Sequence, residues 1–137
     1  IESDIWSLTS VNELTRDGQE TDRWNLLHPE NKPKKAYITK QMEGSVGPVV
    51  IATDYMKSHA EQLRKYIQSP LYVLGTDGFG RSDSRAALRN FFEVDRYFVV
   101  LAALTMLADE GKIKISTLAK AMKKFGIDPE KPNPLYV

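Results

Sequence analysis

One run of eleven residues, Gly75-Thr76-Asp77-Gly78-Phe79-Gly80-Arg81-Ser82-Asp83-Ser84-Arg85, concentrates the groups in this chain best placed to do chemistry. Its three glycines permit positive φ and close backbone approach, and its serines and aspartates are the types that cap helices. A helix start carries free N–H groups that attract anions. Arg81 and Arg85 flank that start, so they are poised to pair with a carboxylate on another domain, chain or ligand. The run follows the apolar residues 71–74 and precedes two segments of helical periodicity, which makes it a strand-to-helix turn. Two readings of such a turn compete: a binding edge, or a tight turn docked against a neighbouring domain.

The specific fingerprints of catalysis are missing from it. Gly75, Gly78 and Gly80 are spaced G-x-x-G-x-G, neither the dinucleotide pattern G-x-G-x-x-G nor a P-loop. Ser82 and Ser84 lie in no G-x-S-x-G elbow and have no histidine base near them in sequence. Asp77 and Asp83 are expected to bond turn backbone rather than act as paired acids. His28 and His59 show no metal-ligand spacing, and structural or solvated roles are expected for both. No residue is assigned to catalysis, to a cofactor or to a metal.

The elements that must hold the loop alternate between strand and helix patterns. Residues 5–9 read as a strand, and Ser10 with Glu13 forms a capping box for a short helix ending at Gly18. A second short helix over 21–27 stops at Pro29, and Trp24 is expected to anchor a core or interface. Residues 30–35, with three lysines, read as a solvated connector. One or two helical turns over 37–43 end at Gly44, and residues 48–53 form the clearest strand, apolar on both faces. A helix from Thr53 or Asp54 to about Gln68 turns Met56, Ala60, Leu63 and Ile67 inward. With the strand over 71–74 it completes a β–α–β unit, so the two strands should be parallel. After the loop, a short helix over 84–92 leads to a longer one stopping at Gly111. Ser116 is expected to cap a last helix, closed by Gly126. The tail over 128–137 carries three prolines and should be extended.

Bulk properties narrow the function classes. At 137 residues the chain fits one domain over 1–137. The 19 basic and 18 acidic residues give no net field toward nucleic acid or an anionic membrane, so neither is an expected partner. The absence of cysteine removes disulfides and thiolate chemistry and fits a cytoplasmic setting. No apolar run has the length of a membrane span. The strand-like opening without an initiator methionine reads as a piece of something longer.

Several separated stretches together carry a resemblance. The loop over 75–85 continued by Phe92-Glu93-Val94-Asp95, the opening Asp4-Ile5-Trp6-Ser7-Leu8-Thr9-Ser10, the run Arg23-Trp24-Asn25-Leu26-Leu27-His28-Pro29 and the late Lys124-Phe125-Gly126-Ile127-Asp128 are similar, in order, to the C-terminal end of the homodimeric pyruvate dehydrogenase first component. That family belongs to the thiamine-diphosphate enzymes of transketolase-like build. The resemblance implies an α/β three-layer sandwich with a mixed, mostly parallel sheet, its first strand and helix lying upstream of Ile1. It implies a parent that decarboxylates pyruvate and acetylates the lipoyl group of dihydrolipoyl acetyltransferase, using thiamine diphosphate and magnesium. The implied partners are the N-terminal and middle domains of the same chain, the second subunit of a homodimer and the acyltransferase core. The family's cofactor motif, Gly-Asp-Gly with a later Asn-Asn, is absent: Phe79 follows Asp77-Gly78, and no Asn-Asn occurs. The domain is therefore expected to be inactive alone and to support docking and dimerisation. The alternatives are a regulatory anion-binding α/β module and the corresponding domain of another transketolase-type enzyme.

Overall fold

Ser10 starts the first helix. Its Oγ accepts the N–H of Glu13 at 3.2 Å, which satisfies one of the free donors at the start of α1 (Val11–Leu27). The computed structural model describes residues 2–137, which form two compact units. The first takes the chain up to Ser45 together with Gln62–Gln68, and the second takes Val46–Glu61 with Ser69–Val137.

In the first unit, α1 runs unbroken through Gly18, where two helices are expected from the sequence. The reason is a long-range contact: a Cβ on Gly18 would lie 2.4 Å from the ring of Tyr66, so the ring packs directly on the helix backbone. That contact offsets the roughly 1 kcal/mol that glycine costs in a helix interior. His28 closes the helix, its ring stacked on Trp24 at 4.4 Å and its Nδ1 2.8 Å from the Trp24 carbonyl. Pro29 then prevents continuation. Helix α2 (Tyr37–Gln41) begins where the Tyr37 N–H donates to the Asp17 carboxylate at 2.5 Å. Ala36, Ile38, Leu63, Tyr66 and Ile67 are buried. The strand expected over 5–9 does not form. No partner strand pairs with it among the described residues, and Ile5 and Trp6 remain exposed.

In the second unit, β1 (Val49–Ala52) and β2 (Leu71–Leu74) pair in parallel, from Val49↔Leu71 to Ala52↔Leu74. The result is an α/β arrangement with a small parallel sheet. The expected helix over 54–68 breaks into α3 (Lys57–Glu61), in this unit, and a 3-10 turn, Arg64–Tyr66, in the first. Ala60 is buried in this unit and Leu63 and Ile67 in the first, while Met56 is exposed. Helix α4 (Arg85–Phe91) is short, and α5 (Arg96–Asp109) packs on both strands. Leu74, Val94 and Ala102 form that core with Val50, Phe92, Phe98 and Val99 against them. Asp95 caps α5 by accepting the N–H groups of Tyr97 and Phe98 at 2.8 and 3.1 Å. Helix α6 (Ile115–Phe125) lies on α5, with Phe125 and Tyr97 rings 5.0 Å apart. Lys114, not Ser116, occupies its cap position, and Gly126 ends it in the left-handed conformation. The tail is not wholly extended: a 3-10 turn, Pro134–Tyr136, buries Pro134.

Candidate functional site

Where β2 ends, the chain is strapped to the segment after β1. The Thr76 N–H donates to the Tyr55 carbonyl at 2.9 Å, and its hydroxyl donates to the Asp54 carbonyl at 2.7 Å. Asp77 Oδ1 accepts the Lys57 N–H at 3.0 Å, with the Lys57 ammonium 3.7 Å from Oδ2. Gly75 is squeezed between these bonds, because a Cβ there would sit 2.7 Å from the Tyr55 carbonyl oxygen. Gly78 has φ +99°, and a Cβ would meet the Pro134 carbonyl oxygen at 2.7 Å. Gly80 has open space around it. Phe79, between the two, is 84% exposed.

The second half of the loop builds the start of α4. Asp83 accepts the Ser84 N–H at 2.6 Å, and Ser84 Oγ accepts the Ala87 N–H at 3.3 Å. Asp77 and Asp83 thus bond different stretches of backbone, as their residue type suggests. Ser82 and Arg85 lie exposed. The Arg81 guanidinium lies over the Phe91 ring, 4.9 Å from its centroid.

Together these segments border an open groove of about 460 Å3. Its lining combines Arg81, Arg85 and Arg89 with Asp54 and Asp83, and the apolar Leu88, Phe92 and Val94. Arg85 and Arg89 are one turn apart on α4, as are Leu88 and Phe92, so the helix presents its charges and its apolar wall side by side. Arg89 is 3.7 Å from the Asp54 carboxylate, a loose pair with both partners well exposed. The helix leaves the groove through a Schellman turn: the Glu93 N–H donates to the Asn90 carbonyl and the Val94 N–H to the Arg89 carbonyl, with Glu93 at φ +61°. Lys131 clamps this turn, donating to the Asn90 and Phe91 carbonyls at 2.9 and 2.7 Å and to Glu93 Oε1 at 3.3 Å.

Sequence reasoning named the loop but missed Asp54, Arg89, Lys131 and Pro134. Arg89 was within reach, since it lies four residues after Arg85 on an expected helix. Nothing local marks Lys131 or Pro134, whose partners lie some 40 residues or more earlier.

In the first unit the fold displaces three titrations. Hydrogen bonds from Lys65 and then Tyr66 hold the Asp22 carboxyl below its usual range. Burial, then the Asp22 bond, pushes the Tyr66 hydroxyl up to about 12. A bond from Lys35 lowers Glu43. None of these three groups borders the groove.

The residues of the groove do not suit a magnesium ion. Among the described residues no three His, Cys, Asp or Glu side chains group to hold a metal. Of the carboxylates in and near the groove, Asp54 pairs loosely with Arg89, Asp83 accepts the Ser84 N–H, and Asp77 faces Lys57. What the arrangement offers is guanidinium donors, an apolar wall and a fixed backbone.

Residues 1–95 match the family model described as the transketolase-like TK C-terminal domain, a span that contains both strands, the loop and α4. The chain belongs to that family. It is 60% identical over 136 residues to the Pyruvate dehydrogenase E1 component of Pseudomonas aeruginosa, covering 98% of this chain and 15% of the relative. The proteins of the same name from Cupriavidus necator and Escherichia coli are 51% and 53% identical, over 100% and 96% of this chain and again 15% of their own length. The chain therefore spans about 15% of the length of these curated relatives. It corresponds to their C-terminal transketolase-like domain, in agreement with the resemblance carried by its separated motifs. Among the described residues no helix of this transketolase-like domain is long and apolar enough to cross a membrane.

Proposed function

We propose that this transketolase-like domain is a supporting part of a pyruvate dehydrogenase subunit, holding that subunit's other domains and its dimer partner in place. The parent would decarboxylate pyruvate and acetylate the lipoyl group of dihydrolipoyl acetyltransferase, with thiamine diphosphate and magnesium bound by its other domains. Its setting would be the cytoplasm. Its partners would be the N-terminal and middle domains of its own chain, the second subunit and the acyltransferase core.

The observation that carries this reading is the 60% identity to a Pyruvate dehydrogenase E1 component across 98% of the chain. The loop supports it from the physical side. A turn strapped by Thr76 and Asp77, and seated on the tail through Gly78, presents exposed Phe79 on a rigid backbone. That is the character of a docking element, since binding to a rigid surface loses little entropy. On this reading residues 75–85 face a neighbouring domain or subunit and hold no reacting atom.

Two measurements test the proposal. Calorimetry of the isolated chain with thiamine diphosphate and magnesium should give no heat of binding; a micromolar dissociation constant would overturn it. In the full-length protein, Gly78→Val should weaken subunit association, read by ultracentrifugation. Dimers of unchanged strength carrying that substitution would remove the docking role.

A further inference from the structure

The groove beside the loop carries three guanidinium groups against two carboxylates, and neither Arg81 nor Arg85 spends its charge on an acidic partner among the described residues. Arg89 has only the loose contact with Asp54. Guanidinium forks match carboxylates bidentately, and arginines and aromatic residues are enriched at the energetic centres of interfaces. Here the two occur together. Arg81 lies over Phe91, Arg85 and Arg89 sit on successive turns of α4, and Phe79 stands exposed between two glycines that border the groove.

Resting on the docking role proposed above, we infer that the groove receives an acidic polypeptide segment, with its carboxylates on Arg81, Arg85 and Arg89 and an apolar side chain on the wall of Leu88, Phe92 and Val94. The chain accounts for only about 15% of the length of its relatives, so polypeptide neighbours of such proteins are abundant. Charge complementarity then selects among them. A free inorganic ion is a poorer match, because it would cover neither the apolar wall nor Phe79. The backbone is ready for such a contact: Thr76, Asp77 and Gly78 are each fixed by bonds or close packing, and Lys131 holds the far end of α4. Asp54 would exchange its loose pairing with Arg89 for solvent when a carboxylate from the segment takes its place.

The experiment places p-benzoylphenylalanine at position 79 of the full-length protein, irradiates the purified assembly and maps the adduct by mass spectrometry. The expected adduct lies in a segment with at least two Asp or Glu near the crosslink. Its yield should fall at least about tenfold, a loss of roughly 1.4 kcal/mol or more, in an Arg85→Gln/Arg89→Gln double variant. Circular dichroism of that variant should match the parent. An adduct in a neutral or lysine-rich segment, or a yield indifferent to the arginines, overturns the inference while leaving the docking role standing. Absence of any adduct sinks both, and inorganic phosphate that competes away the adduct at millimolar concentration would reassign the groove to free anions. The Gly78→Val association measurement separates the two failures, since it does not depend on the arginines.

Discussion

Gly78 and Gly80 are two residues apart in one loop, yet alanine should affect them in opposite directions. At Gly78 two costs combine. The left-handed φ of +99° is disfavoured for an L side chain, by about 1–2 kcal/mol. The new Cβ would also lie 2.7 Å from the Pro134 carbonyl oxygen and 3.2 Å from the Leu135 Cα, and backbone atoms yield less readily than a side-chain tip. Overpacking of that kind adds about 1–3 kcal/mol. Gly78→Ala should therefore cost about 2–5 kcal/mol in total. Gly80 has neither a positive φ nor any atom within 4 Å of the added carbon. Gly80→Ala should be neutral or stabilise by up to about 1 kcal/mol, because it narrows the unfolded ensemble.

Urea unfolding of the chain, followed by circular dichroism, measures both. At a typical slope of about 2 kcal/mol per molar, the Gly78→Ala midpoint should fall by about 1–2.5 M. Gly111 supplies the control that divides the cost: its φ is +70° with nothing within 4 Å, so Gly111→Ala carries the conformational part alone. Removing residues 134–137 from the Gly78→Ala variant should recover the steric part and leave the conformational part. Equal midpoints for Gly78→Ala and Gly80→Ala would refute the seating of the loop on the tail.

Three further outcomes follow from the packing and capping. Gly18→Ala should gain helix propensity of about 1 kcal/mol but force its Cβ into the Tyr66 ring, for a net loss of up to about 2 kcal/mol. In a Tyr66→Ala background the same change should stabilise, a reversal that a double-mutant cycle reads directly. The Asp22–Tyr66 pair predicts two pH limbs with opposite signs. Asp22 has a folded pKa below its ordinary 3.8, so its contribution is present above that value and is lost as pH falls through the folded pKa. Tyr66 has a folded pKa raised from 10.0 to about 12, so its contribution is present below 10 and is lost as pH rises toward 12. Tyrosinate absorbance should show this late titration, and Tyr66→Phe should abolish it; an absorbance change near 12 that survives Tyr66→Phe would contradict the burial of Tyr66 and its bond to Asp22. Asp95→Ala should cost about 1–2 kcal/mol, because α5 loses the acceptor for two of its first N–H groups, whereas Asp95→Asn should retain most of that stability.

What the sequence disclosed and what it withheld divide along the distance between partners. Ser10, Ser84 and Gly126 work on atoms within about four residues of themselves, and each does what its type suggests. The apolar runs of β1 and β2 were legible from their composition, although the expected cover on both faces is incomplete: only Ile51, Leu71, Val73 and Leu74 are buried, and Ala52 and Tyr72 are exposed. Gly18 was misread as a stop because what it accommodates, the Tyr66 ring, lies 48 positions later in the sequence. Residues 5–9 have strand-forming types but no neighbouring strand to pair with among the described residues, and propensity cannot supply one. The loop shows the division most clearly. Gly75, Gly78 and Gly80 look equivalent in sequence, yet one passes under the backbone of Tyr55, one bears on the tail at Pro134, and one touches nothing. Two of the three are thus committed to fixing the loop, and Thr76, Asp77, Asp83 and Ser84 spend their polar atoms on backbone. Phe79, Ser82 and Arg85 are left exposed, and Arg81 lies over the Phe91 ring; these are the side chains on which the proposed docking role rests. Gly75 and Gly78 serve close backbone approach, within a G-x-x-G-x-G spacing that matches no nucleotide fingerprint.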